Sequence, residues 1–220
     1  MSTAESTCWT VIRAAAAGSA TDREELARRY LGVIRAYLSA RWRGSQLRHD
    51  LDDAVQEVFV ECFRHGGALE AAGAGRVPSF RAFLYGVARN VAHRFESRAA
   101  PAASPLPEIQ DDEPSLSRLF ERAWAQAIMA EAAGLQRRWA EERGPEAVQR
   151  VELLRLRFEE NLPIRTIAVR WGVAAAGLHH AYALARKEFK AALLAVLAFH
   201  LPGSPSEVEQ EAANLLQALS

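Results

Sequence analysis

Residues 51–65 read LDDAVQEVFVECFRH. Leu51, Val55, Val58, Phe59, Cys62 and Phe63 recur at the spacing of one face of an α-helix. Asp52, Asp53, Gln56 and Glu57 fall together off that face, in the first two turns. Carboxylates at a helix start interact favourably with its unpaired N–H groups, each by about 0.3–1 kcal/mol. That accounts for Asp50, Asp52 and Asp53, but not for Gln56 and Glu57, which carry the polar face one turn further. The stretch therefore reads either as a helix start alone or as a helix start that also presents a surface to another protein.

The helical pattern continues on both sides. Residues 22–42 place Leu26, Tyr30, Ile34, Tyr37 and Leu38 on one stripe, with Thr21 or Asp22 as the cap. Downstream, GGALEAAGAGRVP reads as a Gly/Ala loop ending at Pro78, and Ser79 caps a third helix, FRAFLYGVARNVAHRFESR. Phe80, Leu84, Val87 and Val91 supply its core face. Residues 99–114 hold four of the nine prolines and an acidic run, which makes them an extended linker. A second helical block runs from Ser115 to about His200. After PGSP (202–205), Ser206 and Glu209 form a capping-box pattern for a last helix ending near Leu219. Its stripe is Val208, Ala212, Leu215, Leu216 and Leu219, and its acidic side complements the basic block at 148–200. A helix this short needs a surface to pack on.

No sustained two-residue alternation occurs, so the fold class is all-α. The expected organisation is a helical domain over 1–98, the linker over 99–114, a second helical domain over 115–200 and a helical tail over 201–220.

Within the second domain, residues 161–189 (NLPIRTIAVRWGVAAAGLHHAYALARKEF) read as a short helix, a turn at Gly172 and a longer helix. Ile164, Ile167 and Ala168 face inward, and Val173 and Leu178 plug the space between the two. The second helix opens with Ala174, Ala175, Ala176 and Gly177 and carries His179, His180, Tyr182, Arg186 and Lys187. It suits entry into a DNA major groove, or a plain helical hairpin.

The net charge of zero hides segregation. Residues 21–100 hold thirteen basic against ten acidic side chains, 101–147 five against nine, 148–200 eight against four, and 201–220 none against three. Two mildly basic blocks separated by acidic ones fit two nucleic-acid-facing modules better than one enzyme. The two cysteines, Cys8 and Cys62, form no metal-binding pattern and fit a reducing cytoplasm. No basic leader or transmembrane-length apolar run is present, so a cytoplasmic chain with no membrane partner is expected. No phosphate loop, no nucleophile–base spacing and no ligand cluster occurs, so no catalytic residue, cofactor or metal is expected. Adjacent His179 and His180 point about 100° apart on a helix and make a poor metal site.

Asp53-Ala54-Val55-Gln56-Glu57-Val58-Phe59, followed by Ser79-Phe80-Arg81-Ala82-Phe83-Leu84 and Val87-Ala88-Arg89-Asn90, resembles region two of bacterial extracytoplasmic-function sigma factors of the sigma-70 superfamily. Residues 161–189 are similar to that family's fourth region, and FERAWAQAIMAEA (120–132) with the C-terminal tail is similar to one subgroup. The sequence departs from the pattern at Phe83, where tryptophan is usual, and at Thr166, where glutamate is usual. It departs again at Ala174 to Gly177, in place of polar cap residues, and at His179 and Ala181, where basic residues often lie.

The resemblance implies a sigma factor that binds core RNA polymerase and directs it to promoters. Asp52, Asp53, Gln56, Glu57 and Phe59 would then dock on the clamp helices of the largest subunit, and the second domain on the flap. Arg76, Ser79, Arg81, Phe83, Arg89, Asn90, His93 and Arg94 would meet the minus-10 element, whose flipped base enters the loop before Ser79. Ala175, Ala176, Gly177, His179, His180, Tyr182, Arg186 and Lys187 would meet the minus-35 element. The family also admits an anti-sigma factor as partner. The alternative is a helical interaction protein that binds polymerase or a regulator without reading promoters.

Overall fold

The computed structural model describes residues 8–64, 80–99, 113–201 and 204–218, and every described element is helical. The Gly/Ala loop with Arg76 and Ser79, nearly all of the linker, and Leu219 lie outside the described residues. The chain forms two compact units, Met1–Ala127 with Ala198–Ser220, and Ile128–Leu197.

The first unit begins with α1 (Cys8–Ala16), which buries Ile12 and Ala15. Helix α2 (Ala20–Arg41) starts earlier than its apolar pattern suggested. Its cap is Ser19, whose hydroxyl accepts the Asp22 N–H at 3.3 Å, rather than Thr21 or Asp22. Arg23 donates to the Ala15 carbonyl at 2.8 Å and ties the two helices together. The buried residues Leu26, Tyr30, Val33, Ile34, Tyr37, Leu38 and Arg41 hold the three-and-four spacing of a single stripe.

After Trp42, Gly44 takes φ +83°, a left-handed conformation that suits glycine. A 3₁₀ helix (Gln46–Asp50) follows, capped by the Ser45 hydroxyl. It leads into α3 (Leu51–Phe63), which buries Ala54, Val55, Val58 and Cys62. Helix α4 (Phe80–Ala99) buries Phe80, Phe83, Leu84, Val87, Ala88, Val91, Ala92 and Glu96. Helix α2 packs against α1 and α3, and α3 packs against α4.

A buried polar cluster joins α2 to α4. The Glu96 carboxylate accepts from Arg41 Nε at 2.7 Å and Nη2 at 3.0 Å, and from Trp42 Nε1 at 2.9 Å. Arg41 Nη1 also donates to the Tyr37 hydroxyl at 3.3 Å. Burial works against the charge on Arg41, but its hydrogen bond to the Glu96 carboxylate leads the interactions that outweigh it and hold the guanidinium protonated. Burial also pushes the Cys62 thiol up to about 12, so it packs as a small apolar group and not as a nucleophile.

Helix α5 (Glu113–Arg143) brings Phe120, Trp124 and Ala125 into the first unit. Trp124 stacks on Tyr30 with centroids 5.4 Å apart and an interplanar angle of 8°. The same indole meets the edge of His200 at 5.5 Å. The Tyr30 hydroxyl lies 2.9 Å from His200 Nδ1 in a buried hydrogen bond.

In the second unit, Gly144 at φ +105° separates α5 from α6 (Pro145–Phe158), whose first residue is proline as helix starts allow. Helix α7 (Ile164–Trp171) and helix α8 (Ala175–His200) follow. Leu153, Leu156, Ile164, Ile167, Ala168 and Leu178 form the core between α6, α7 and the start of α8. Gly172 takes φ +66° and its N–H bonds back to the Ala168 and Val169 carbonyls. A Cβ there would meet nothing within 4 Å, so the demand for glycine is conformational and not spatial. Leu178 is buried as its position suggests, but Val173 is 46 % exposed and plugs nothing.

Helix α9 (Pro205–Ala218) belongs to the first unit. Its capping box is Ser204 with Glu207, not Ser206 with Glu209. The Ser204 N–H donates to the Glu207 carboxylate at 2.7 Å, and the Glu207 N–H reaches the Ser204 hydroxyl at 3.4 Å. Pro205 explains the choice, because a first helical residue needs no donor. Val208, Ala212 and Leu215 are buried, whereas Leu216 is half exposed.

Candidate functional site

The polar face of α3 is divided by its ion pairs. Asp52 is bound to Arg35 of α2. Glu57 meets Arg94 at 3.3 Å, and Glu61 holds the same guanidinium at 2.9 Å. Two of the expected docking carboxylates thus also join α3 to its neighbours. Asp53 and Gln56 stand exposed, and Val60, one turn on, is 50 % exposed. Val60 escaped the sequence reading because it lies outside both the apolar stripe and the acidic run. Its signal was a β-branched residue in line with Asp53 and Gln56. Phe59 is half-buried, with its ring 6.2 Å from that of Phe63.

The α4 residues separate in the same way. Arg89 and Asn90 are exposed on adjoining positions. His93 is half-exposed, with Nδ1 3.4 Å from the Glu96 carboxylate. Arg94 is held by the α3 carboxylates just described. Phe83, expected at the minus-10 element, is buried at 6 % exposure and its ring packs beside that of Phe80. Arg81 lies 2.7 Å from the Glu211 carboxylate of α9 and 3.3 Å from that of Glu121. Burial pushes the Glu121 carboxyl up, Arg81 pulls it down, and Glu211 adds to the rise. Glu211 therefore meets α4, outside the basic block at 148–200.

Residues 26–100 match the family model of sigma-70 region 2. This stretch is similar to a sigma-70 region 2. Region 2 of this family binds core RNA polymerase and promoter DNA and acts in promoter melting, as a non-enzymatic initiation factor. The match begins within α2 and runs through the 3₁₀ helix to α3, which presents Asp53 and Gln56, and α4, which presents Arg89 and Asn90. No curated protein and no solved structure gives a significant match.

Beyond the matched residues, in the second unit, the opening turns of α8 present a face of small and weakly charged groups. Ala176, Gly177, His179 and His180 are exposed, Ala175 is half-buried, and Ala174 offers no side-chain cap. Two turns on, Arg186 and Lys187 are exposed, with the Arg186 guanidinium 5.8 Å from the centre of the half-buried Tyr182 ring. Glu188 is turned inward and takes two hydrogen bonds from Arg150, at 3.0 and 2.7 Å. Val169 is 84 % exposed and Phe158 64 %, with the Phe158 ring 6.5 Å from that of Tyr182. Among the described residues no group of three or more His, Cys, Asp or Glu side chains is placed to hold a metal. No single described helix is long and apolar enough to cross a membrane.

Proposed function

We propose that this protein is a cytoplasmic sigma factor of the extracytoplasmic-function type, which recruits core RNA polymerase and reads both promoter elements. Its domains are a region 2 over 1–98, a linker over 99–114, a region-4-like domain over 115–200 and a tail over 201–220. The observation that carries this reading is the region 2 match over helices that leave Asp53, Gln56 and Val60 exposed on α3, and Arg89 and Asn90 on α4. The α3 face serves the clamp helices of the largest polymerase subunit, with Val60 as its apolar centre. Arg76, Ser79, Arg81, Arg89, Asn90, His93 and Arg94 serve the melted minus-10 strand, by charge and hydrogen bonding to phosphate. In the second unit, the first turns of α8 serve the minus-35 duplex and the remaining surface the flap. An anti-sigma factor fits as a further partner.

Run-off transcription with core polymerase tests the whole reading: promoter-specific transcripts support it, and core binding without transcripts overturns it. Asp53→Arg is expected to weaken core binding about tenfold, since a reversed rim charge meets repulsion. Asp53 is exposed at a helix start, so helical circular dichroism stays near wild type. An unchanged affinity in the folded variant removes the α3 docking face.

A second reading has its own support. The uncharged opening of α8, Ala175 to Gly177, favours a helical interaction protein that binds polymerase without reading the minus-35 element. Arg186→Ala separates the two. Promoter reading predicts weaker duplex binding for all sequences and a salt slope lower by about one. Identical slopes for variant and wild type leave the second reading in place.

A further inference from the structure

From the contact between α9 and α4 we infer that the C-terminal helix is an autoinhibitory clasp on region 2, with Glu211 occupying the guanidinium of Arg81 where a DNA phosphate would bind. This rests on the proposed role of Arg81 in holding the melted strand.

Three observations carry it. First, the Glu211 carboxylate lies 2.7 Å from Arg81 Nη1, the distance of a charge-assisted hydrogen bond. Carboxylate and phosphate oxygens compete for the same donors, so one guanidinium group cannot serve both fully. Second, the pair is partly shielded, with Arg81 30 % and Glu211 19 % exposed, so salt screens it less than a surface pair. Third, α9 is held by more than this pair. Val208, Ala212 and Leu215 are buried, and a capping box fixes the helix start.

The clasp is also built to open. Arg81 faces two carboxylates, Glu211 and Glu121, and can neutralise only one. Each carboxylate weakens the other's hold: burial raises the Glu121 carboxyl most, Arg81 lowers it, and the Glu211 charge adds to the rise. A helix of fourteen residues has little stability away from its packing surface, so an undocked α9 gives up its contacts together. A polyanion offers several phosphates in place of a single glutamate, and it displaces the helix by mass action.

The test is fluorescence anisotropy of a labelled single-stranded DNA oligonucleotide with the full chain at low salt. Glu211→Gln is expected to tighten binding about fivefold while α9 keeps its buried stripe. Glu209→Gln removes the same charge from an exposed position of α9 and should leave binding close to wild type. In the Arg81→Ala background Glu211→Gln should give no gain. Equal effects of Glu211→Gln and Glu209→Gln, or a gain that persists without Arg81, overturn the clasp. If Glu211→Gln gives no gain but Arg81→Ala weakens binding in that variant, the clasp fails and the strand contact stands. If Arg81→Ala changes nothing in the Glu211→Gln chain, the strand contact fails and the clasp falls with it.

Discussion

Glu96→Ala is expected to lower the stability of the first unit by about 3–5 kcal/mol, the usual cost of removing one partner of a buried ion pair. Arg41 and Glu96 have side chains only 1 % and 8 % exposed. Truncating the carboxylate leaves a buried guanidinium facing no anion, and the Trp42 indole N–H loses its acceptor as well. The double variant Arg41→Ala/Glu96→Ala should cost less than the sum of the single variants, because it removes the stranded charge along with its partner. Urea unfolding of the full chain, followed by helical circular dichroism, reads both. A loss below about 1 kcal/mol for Glu96→Ala would mean that water reaches the guanidinium and that the pair is not a core element. The pair joins the C-terminal end of α2 to the last turns of α4. Its loss should therefore also loosen the helix that presents Arg89 and Asn90.

Trp124→Ala is expected to cost a similar amount, about 3–5 kcal/mol, through the cavity left by a buried indole. Trp124 is 4 % exposed and lies against Tyr30, Phe80 and His200. These rings come from α2, α4 and the end of α8, so the indole holds together segments far apart in sequence. Trp124→Phe keeps an aromatic ring in the site and should recover about half of the loss. Thermal unfolding measures the series. If alanine and phenylalanine behave alike and both stay near wild type, the stacked geometry contributes nothing to stability. Tyr30→Phe probes the polar side of the cluster. It removes the hydroxyl from His200 Nδ1 and leaves a buried ring nitrogen short of one partner, at a cost of about 1–3 kcal/mol.

The sequence by itself determined the helices and their inward faces, because apolar residues at a period near 3.6 can be buried in one way only. Leu26, Tyr30, Ile34, Tyr37 and Leu38 are buried as their spacing required, and so are Phe80, Leu84, Val87 and Val91. Gly172 was legible as well, since a left-handed residue is a local requirement of the turn. The Ser204 cap could have been read from Pro205, which suits a first helical residue and decides between two overlapping capping patterns. Helix α1 left a weaker signal, because among its side chains of described burial Ile12 is the one large apolar group buried, beside Ala15.

Only the tertiary structure decided how the polar residues are used. Sequence spacing shows that Asp52, Glu57, Arg81 and Arg94 are off the apolar stripes, and nothing in it says whether their charges meet solvent or one another. In the fold Arg35 takes Asp52, Glu57 and Glu61 take Arg94, and Glu211 takes Arg81 from 130 residues away. The Phe83 ring is buried because α4 turns inward a face wide enough to include it. Apolar burial follows a local period, whereas a charge pair forms between whichever groups the folded chain brings within a few ångströms. The first is written along the sequence, and the second exists only after long-range packing has placed the helices.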